Sequence, residues 1–238
     1  MKKIVSLLLV VAVALGLYSF YSPEQKKDNT LSKKEKKDGW VLLFDGSSSK
    51  GWHYYKNQQA DDWAVQDGEL FCKVDGVKKR ADLVTDEIYE NFILDIDWKI
   101  AAKENSGIIY RCTEDNGASY ESGPEYQLID DIGYPAKLHE SQYSASNYDM
   151  NAPTAKVAKP AGEYNHTRIV VNKAHVEHWL NGVKVVEYEF WTPEWEATKA
   201  KSKWKDVKPY GMSKAGKIAL QDHGGGVWFK NIKIKRLP

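Results

Sequence analysis

Four catalytic signatures are missing from this sequence of 238 residues: there is no HExxH, no paired CxxC, no glycine-rich phosphate loop and no GxSxG. Zinc-protease, phosphate-loop and α/β-hydrolase chemistries therefore have no support. Net charge is nearly absent too, at +1, and most of the surplus lysine lies ahead of residue 39. A nucleic-acid partner would need a basic surface, which the rest of the chain does not supply. Cysteine is scarce, with only Cys72 and Cys112. Each sits in an apolar stretch, so a disulfide and a pair of buried thiols are equally good expectations. Helical signal is thin as well. The stretch "PEWEATKAKSKW" (residues 193–204) starts with proline, carries helix formers and predicts one surface helix.

Long apolar runs are confined to the start. "MKKIVSLLLVVAVALGLYSFYS" has a basic beginning and an apolar run over residues 4–17, the pattern of a signal peptide at 1–22. That run is short of the roughly 20 residues of a membrane-spanning helix, so the mature chain is expected to lack a span and to be exported, periplasmic or extracellular. Residues 23–38, "PEQKKDNTLSKKEKKD", are polar and lysine-rich, and predict a flexible tether. Residues 39–238 then suit a single domain.

What fills that domain is strand signal. "NFILDIDWKI" alternates, with Phe92, Leu94, Ile96, Trp98 and Ile100 on one side and Ile93, Asp95, Asp97 and Lys99 on the other. Asp67-Gly68 and Asn181-Gly182 are hairpin turns, and "TRIVVN" pairs with "AHVEHWL" around Lys173 and Ala174. Many short strands with turn signals predict an all-β jelly-roll sandwich of two antiparallel sheets with at most one or two short helices. Nine tryptophans and fourteen tyrosines can stack on sugar rings, but a sandwich core uses aromatics equally well.

Four segments carry polar groups that a sandwich does not require. In "NSGIIYRC", Arg111 shares a face with Ile109, and can either reach water or hold an anion. In "GPEYQLIDD", Glu125, Gln127 and Ile129 share a face, with Tyr126, Leu128 and Asp130 opposite. A carboxylate beside an amide can bind hydroxyls or act as a base, although a solvated strand face would look the same. In "HVEHWLNG", His178 lies with Val176 and Leu180, as a core histidine would, or as an acid–base group. In "LQDHGGG", Asp222 and His223 end a strand at a glycine turn, where an Asp-His pair can tune a histidine or bind a metal.

Taken in order, "GWVLLFDGSSSKGW", "NSGIIYR", "GPEYQLIDD", "AGEYNHTRIVV", "VEHWLNGVKVVEYE" and "IALQDHGGGVWFKNIKIK" resemble the 3-keto-disaccharide hydrolase domain family across nearly all of residues 39–237. The resemblance implies a concanavalin-A-like sandwich, a small carbohydrate substrate, and cleavage of glycosides already oxidised to a ketone at carbon 3. By motif it puts Arg111, Glu125, Gln127, His178, Asp222 and His223 around one pocket, with Asn105 and Asp130 as further substrate contacts. His139 and Tyr148, in "IGYPAKLHESQYSASNYDM", are left open.

A carbon 3 ketone makes the carbon 2 proton acidic, so elimination of the carbon 1 substituent and hydration would give net hydrolysis. That route requires a base (Glu125 or His178), an acid (His223 oriented by Asp222) and an electrophile for the enolate (Arg111). A divalent metal is an alternative electrophile. The other expectation is a non-catalytic carbohydrate-binding module of the same fold. It would show a flat aromatic platform in place of converging acid–base groups.

Overall fold

The computed structural model describes residues 27–238. The expected signal peptide at 1–22, and the first residues of the expected tether, lie outside the described residues. The strands run in chain order as β1 (Trp40–Leu42), β2 (Trp52–Tyr54), β3 (Trp63–Gln66), β4 (Glu69–Cys72), β5 (Leu83–Thr85), β6 (Phe92–Ile100) and β7 (Asn105–Cys112). There follow β8 (Glu125–Ile129), β9 (Asn165–Asn172), β10 (His175–Leu180), β11 (Val183–Glu189), β12 (Lys217–Leu220) and β13 (Val227–Arg236). They form two antiparallel sheets. One has eight strands in the order β11-β10-β9-β6-β13-β4-β3, with β1 also on β13; the other has five, β2-β5-β12-β7-β8. This is the concanavalin-A-like jelly-roll sandwich.

Alternation builds the core. Phe92, Leu94, Ile96, Trp98 and Ile100 of β6 are buried and meet Ile108, Tyr110, Tyr126 and Leu128 from the facing sheet. The other side of β6 is also covered in part. Asp95 is bound bidentately by Arg168 at 2.7 and 2.9 Å, and Asp97 by Asn231 at 2.7 Å. Both expected Asx-Gly turns form with positive φ at both positions, 54° and 79° at Asp67-Gly68 and 50° and 84° at Asn181-Gly182. The right-handed twist of the flanking strands favours this turn.

Two local readings are corrected. The helix α1 (Lys33–Lys37) lies inside the expected tether and is capped by a reciprocal Ser32–Glu35 box. Ahead of it, Asn29 exchanges hydrogen bonds with Asn231 and donates to Gly68 O at 2.8 Å, and Glu35 meets Lys233 at 2.5 Å. Residues 27–38 are thus moored on β13, because two asparagines and a capping glutamate find partners that composition alone does not show. The second helix, α2 (Pro193–Lys199), is capped by Thr192 and stops short of Trp204. Trp204 stacks instead on Tyr210, with ring centroids 4.4 Å apart. Among the described residues no helix is long and apolar enough to cross a membrane.

Candidate active site

The outer face of the five-stranded sheet carries a cleft of about 510 Å³. That size lies in the range of small-ligand sites, roughly 300–1,000 Å³. Strands β7 and β8, with the residue that follows β12, make its floor through Asn105, Glu125, Gln127 and Gln221. Arg80, Asp82, Asp222 and His223, together with Tyr120, Tyr148 and Lys203, complete its lining.

The floor follows from the period of β8. Tyr126 and Leu128 go into the core, so Glu125 and Gln127 must point outward together. Their face is nevertheless not solvated, because residues 145–148 run along the free edge of β8, with Gln127 N donating to Ser146 O at 3.1 Å and Tyr148 N to Glu125 O at 3.0 Å. Glu125 is therefore buried, and burial pushes its carboxyl up to about 8, with Asp82 adding to the rise and Lys203 opposing it. In the amide orientation that satisfies its neighbours, Gln127 Nε2 donates to Ser106 O at 3.0 Å and to Glu125 Oε1 at 2.9 Å. Gly107 lies under that carboxylate: a Cβ there would stand 2.4 Å from Glu125 Oε1. The glycine of "NSGIIYR" is a space for the glutamate.

The walls supply charge and unspent hydrogen-bonding capacity. Arg80 donates to Asp222 Oδ1 at 3.0 Å and to the carbonyls of Lys73 and Val74 at 3.1 and 2.9 Å. Asp82 accepts from Asp222 N at 3.0 Å and from Ser119, and burial raises its carboxyl. The Lys203 ammonium lies 4.0 Å from the centroid of the Tyr148 ring and 4.3 Å from that of Trp204. Partial burial lowers its pKa, while Glu125 and Asp149 pull the other way. Gln221 Oε1 is buried with no partner.

Of the eight residues expected at the pocket, Asn105, Glu125, Gln127, Asp222 and His223 line it. Arg111, His178 and Asp130 do not. Arg111 is displaced by a bulge in β7, where its φ is +54° and Tyr110 and Arg111 together face the single residue between Lys217 and Ala219. The bulge shifts the alternation, so Arg111 leaves the side of Ile109. Its guanidinium donates to the carbonyls of Glu90 and Lys173 and lies over Phe190 and Trp191.

His178 is a satisfied core histidine. Its Nδ1 donates to Ala145 O and its Nε2 accepts from Tyr110 Oη, both at 2.8 Å. Burial lowers it to about 4, so it stays neutral. Asp130 clamps the turn after β8 by accepting from the backbone amides of Lys103, Ile132 and Gly133. Nor does Asp222 orient His223: its Oδ1 is occupied by Cys72, Arg80 and Gly224.

Of the two residues left open, Tyr148 lines the cleft, while His139 lines a separate hollow with Gln142 and Asp149. Arg80, Asp82, Tyr120 and Lys203 were not anticipated. Lys203 sits in the lysine-rich "ATKAKSKWK", where nothing separates one cation from the next. Cys72 and Cys112 are free thiols. Among the described residues, two groups bring three metal-ligating side chains together: Asp62, Cys72 and Asp222 beside the cleft, and His175, Glu177 and Glu187 on the surface.

Comparison with known proteins adds four findings. Residues 39–235 match the family described as the 3-keto-alpha-glucoside-1,2-lyase-like domain. A Bacteroides thetaiotaomicron protein named 3-keto-disaccharide hydrolase is 34% identical over 229 residues, spanning 84% of this chain and 79% of its own length. A crystal structure of a candidate glycosyl hydrolase from Parabacteroides distasonis superposes with a TM-score of 0.84 at 38% identity, over 89% of this chain and all (100%) of the other. A second such structure from the same organism gives a TM-score of 0.65 at 29% identity, over 83% of this chain and 99% of the other.

Proposed function

The chain belongs to the 3-keto-alpha-glucoside-1,2-lyase-like domain family, and from that membership we propose that it hydrolyses 3-keto glycosides by elimination and hydration. One observation carries the proposal. Glu125 is a buried carboxyl on the cleft floor, lifted to about 8 and held by Gln127. A base is most effective when its pKa lies near the working pH. A binding module needs no such group, and here titratable side chains converge from separate segments.

In this scheme the Glu125 carboxylate takes the proton from carbon 2. The electron pair moves onto the carbon 3 oxygen, and the Lys203 ammonium, which has aromatic rings but no carboxylate in hydrogen-bonding contact among the described residues, stabilises that enolate. The enolate then expels the carbon 1 substituent, whose oxygen takes a proton from His223 on the rim. Water adds to carbon 1 of the enone, giving a proton back to His223, and Glu125 returns a proton to carbon 2. The sum is glycoside plus water giving 3-keto sugar plus alcohol. Gln221 Oε1, buried and unpaired, accepts from a sugar hydroxyl. We also propose export of the chain, supported by the basic start and apolar run at 1–22.

Turnover in heavy water tests the route. The released 3-keto sugar is expected to carry deuterium at carbon 2 at times too short for spontaneous exchange. Product without label would mean direct displacement at carbon 1. Turnover of the unoxidised disaccharide as fast as its 3-keto form would remove the substrate assignment.

A further inference from the structure

Behind the Asp222 wall of the cleft lies a cluster that the proposed reaction does not use. Asp62 precedes β3, Cys72 ends β4 and Asp222 follows β12. One ligand atom from each lies within 4.8 Å of the other two. Asp62 is fully buried at 0% and Cys72 is 1% exposed. Asp62 Oδ2 accepts from Ala81 N at 3.2 Å, but Oδ1 is buried with no donor. Asp222 Oδ1 accepts from the Cys72 thiol at 3.1 Å, from Arg80 at 3.0 Å and from Gly224 N at 2.7 Å.

An orphaned acceptor beside another carboxylate requires a positive charge, either a proton or a cation. Burial, with Asp222 adding to it, lifts Asp62 to about 7, so a proton on this residue answers part of the need near neutrality. It leaves the thiol facing two acids. Burial first, and then those same acids, hold Cys72 well above the ordinary thiol value.

Charge favours a cation. Two carboxylates and a thiolate would carry three negative charges, Arg80 returns one, and a divalent ion returns the rest. One sulfur and two oxygens suit a borderline-soft ion; calcium and magnesium choose oxygen alone. We propose that Asp62, Cys72 and Asp222 form a binding site for a divalent transition-metal ion of the zinc type. Arg80, 33% exposed at its side chain, is the outer cover that turns aside for entry. Binding releases the thiol proton and any proton on Asp62 to solvent. The bound ion fixes Asp222, and through it the cleft wall.

Cobalt(II) titration of the purified chain tests this, because a cobalt–thiolate bond absorbs in the near ultraviolet. One equivalent is expected to produce that band. Cys72→Ser should abolish it, and Asp62→Asn should weaken binding about ten- to a hundredfold. Cys112→Ser should keep it, since that thiol lies in a separate apolar cluster with Tyr55, Val84, Ile109 and Ala219. Circular dichroism checks folding, and Asp62→Asn, which keeps the side-chain shape, carries the test if Cys72→Ser does not fold. Absence of the band in the folded wild type at about a hundredfold excess of cobalt would overturn the site and leave a shared proton in its place. A band unchanged in Cys72→Ser, or an unchanged cobalt affinity in Asp62→Asn, would overturn it as well. Neither result depends on turnover, so this site and the proposed reaction stand or fall separately.

Discussion

Glu125 and His178 are both polar side chains on strands of one sandwich, 4% and 0% exposed, yet they face different environments. His178 lies between the sheets, and each ring nitrogen has a partner at 2.8 Å. Glu125 lies on the outer face of the five-stranded sheet, under residues 145–148 and beside open cleft. Burial moves both toward the neutral form, His178 down to about 4 and Glu125 up to about 8. The shift alone therefore does not mark a working group. What separates them is what the neutral form faces: a closed protein network for the histidine, and a volume that can hold a reacting atom for the glutamate.

The largest expected effects test this contrast directly. Glu125→Gln keeps shape and burial but removes basicity, so kcat is expected to fall by about two to four orders of magnitude. A nearly unchanged rate would return Glu125 to the role of hydroxyl ligand. His178→Leu should do the converse. It strands Ala145 O and leaves Tyr110 Oη with Tyr188 as its one partner, lowers stability by about 2–4 kcal/mol in urea titration, and leaves kcat within about threefold at temperatures where the variant is folded. A hundredfold loss of kcat in the folded variant would join His178 to the site after all.

Their pH windows run in opposite directions. The folded chain holds the Glu125 proton more tightly than the unfolded chain, whose carboxyl titrates near the ordinary 4.5. Between about 4.5 and about 8 the folded state therefore binds more protons, and this residue drains stability as pH rises through that window. For His178 the unfolded chain binds more protons between about 4 and 6.5, so that residue adds stability as pH rises there. Glu125→Gln should accordingly be more stable than the wild type at pH 8, by about 1–3 kcal/mol, while nearly inactive. In the wild type, carbon 2 proton exchange, the step that needs the base and not His223, should rise with pH toward a plateau above about 8 if Glu125 is the base. A fall through that value would make it the acid.

The same contrast shows how much was legible in the sequence. Period-2 alternation places β6 and β8 correctly, and with them Glu125 and Gln127, because a regular strand transmits its pattern without knowledge of its neighbours. It fails at Arg111, where one left-handed residue shifts the side chain from one face to the other. A positive φ at an arginine has no sequence signature of the kind that Asn-Gly has. For His178 the pattern gives the shared face with Val176 and Leu180 but leaves a core and a catalytic role open; the closed network that decides for the core needs Tyr110 and Ala145 from distant segments. Arg80, Asp82 and Lys203 are brought in by loops, whose paths no periodicity predicts. The helix at Lys33 was missed for a related reason: its anchors, Asn231 and Lys233, are about two hundred residues away in sequence.

The smallest expected effect comes from a residue that need not touch substrate. Gly107 lies opposite Gln127 in the pairing of β7 with β8, and its missing side chain makes room for Glu125. In Gly107→Ala the new methyl would overlap Oε1 at 2.4 Å, with Glu125 Cγ and Cδ at 2.8 and 2.9 Å. The glycine has no positive φ to protect, so the backbone can accept alanine and the carboxylate must give way. A shift of a few tenths of an ångström moves it off Gln127 and away from the alignment a proton transfer demands, which predicts a loss of about ten- to a hundredfold in kcat. KM should change little, since Arg80, Lys203 and Gln221 are left in place. Thermal stability should drop by only about 1–2 kcal/mol, because the displaced group borders open cleft and not packed core. If kcat held steady in Gly107→Ala while Glu125→Gln remained inactive, the exact seat of the carboxylate would not matter, and chemistry would not be the slow step of turnover.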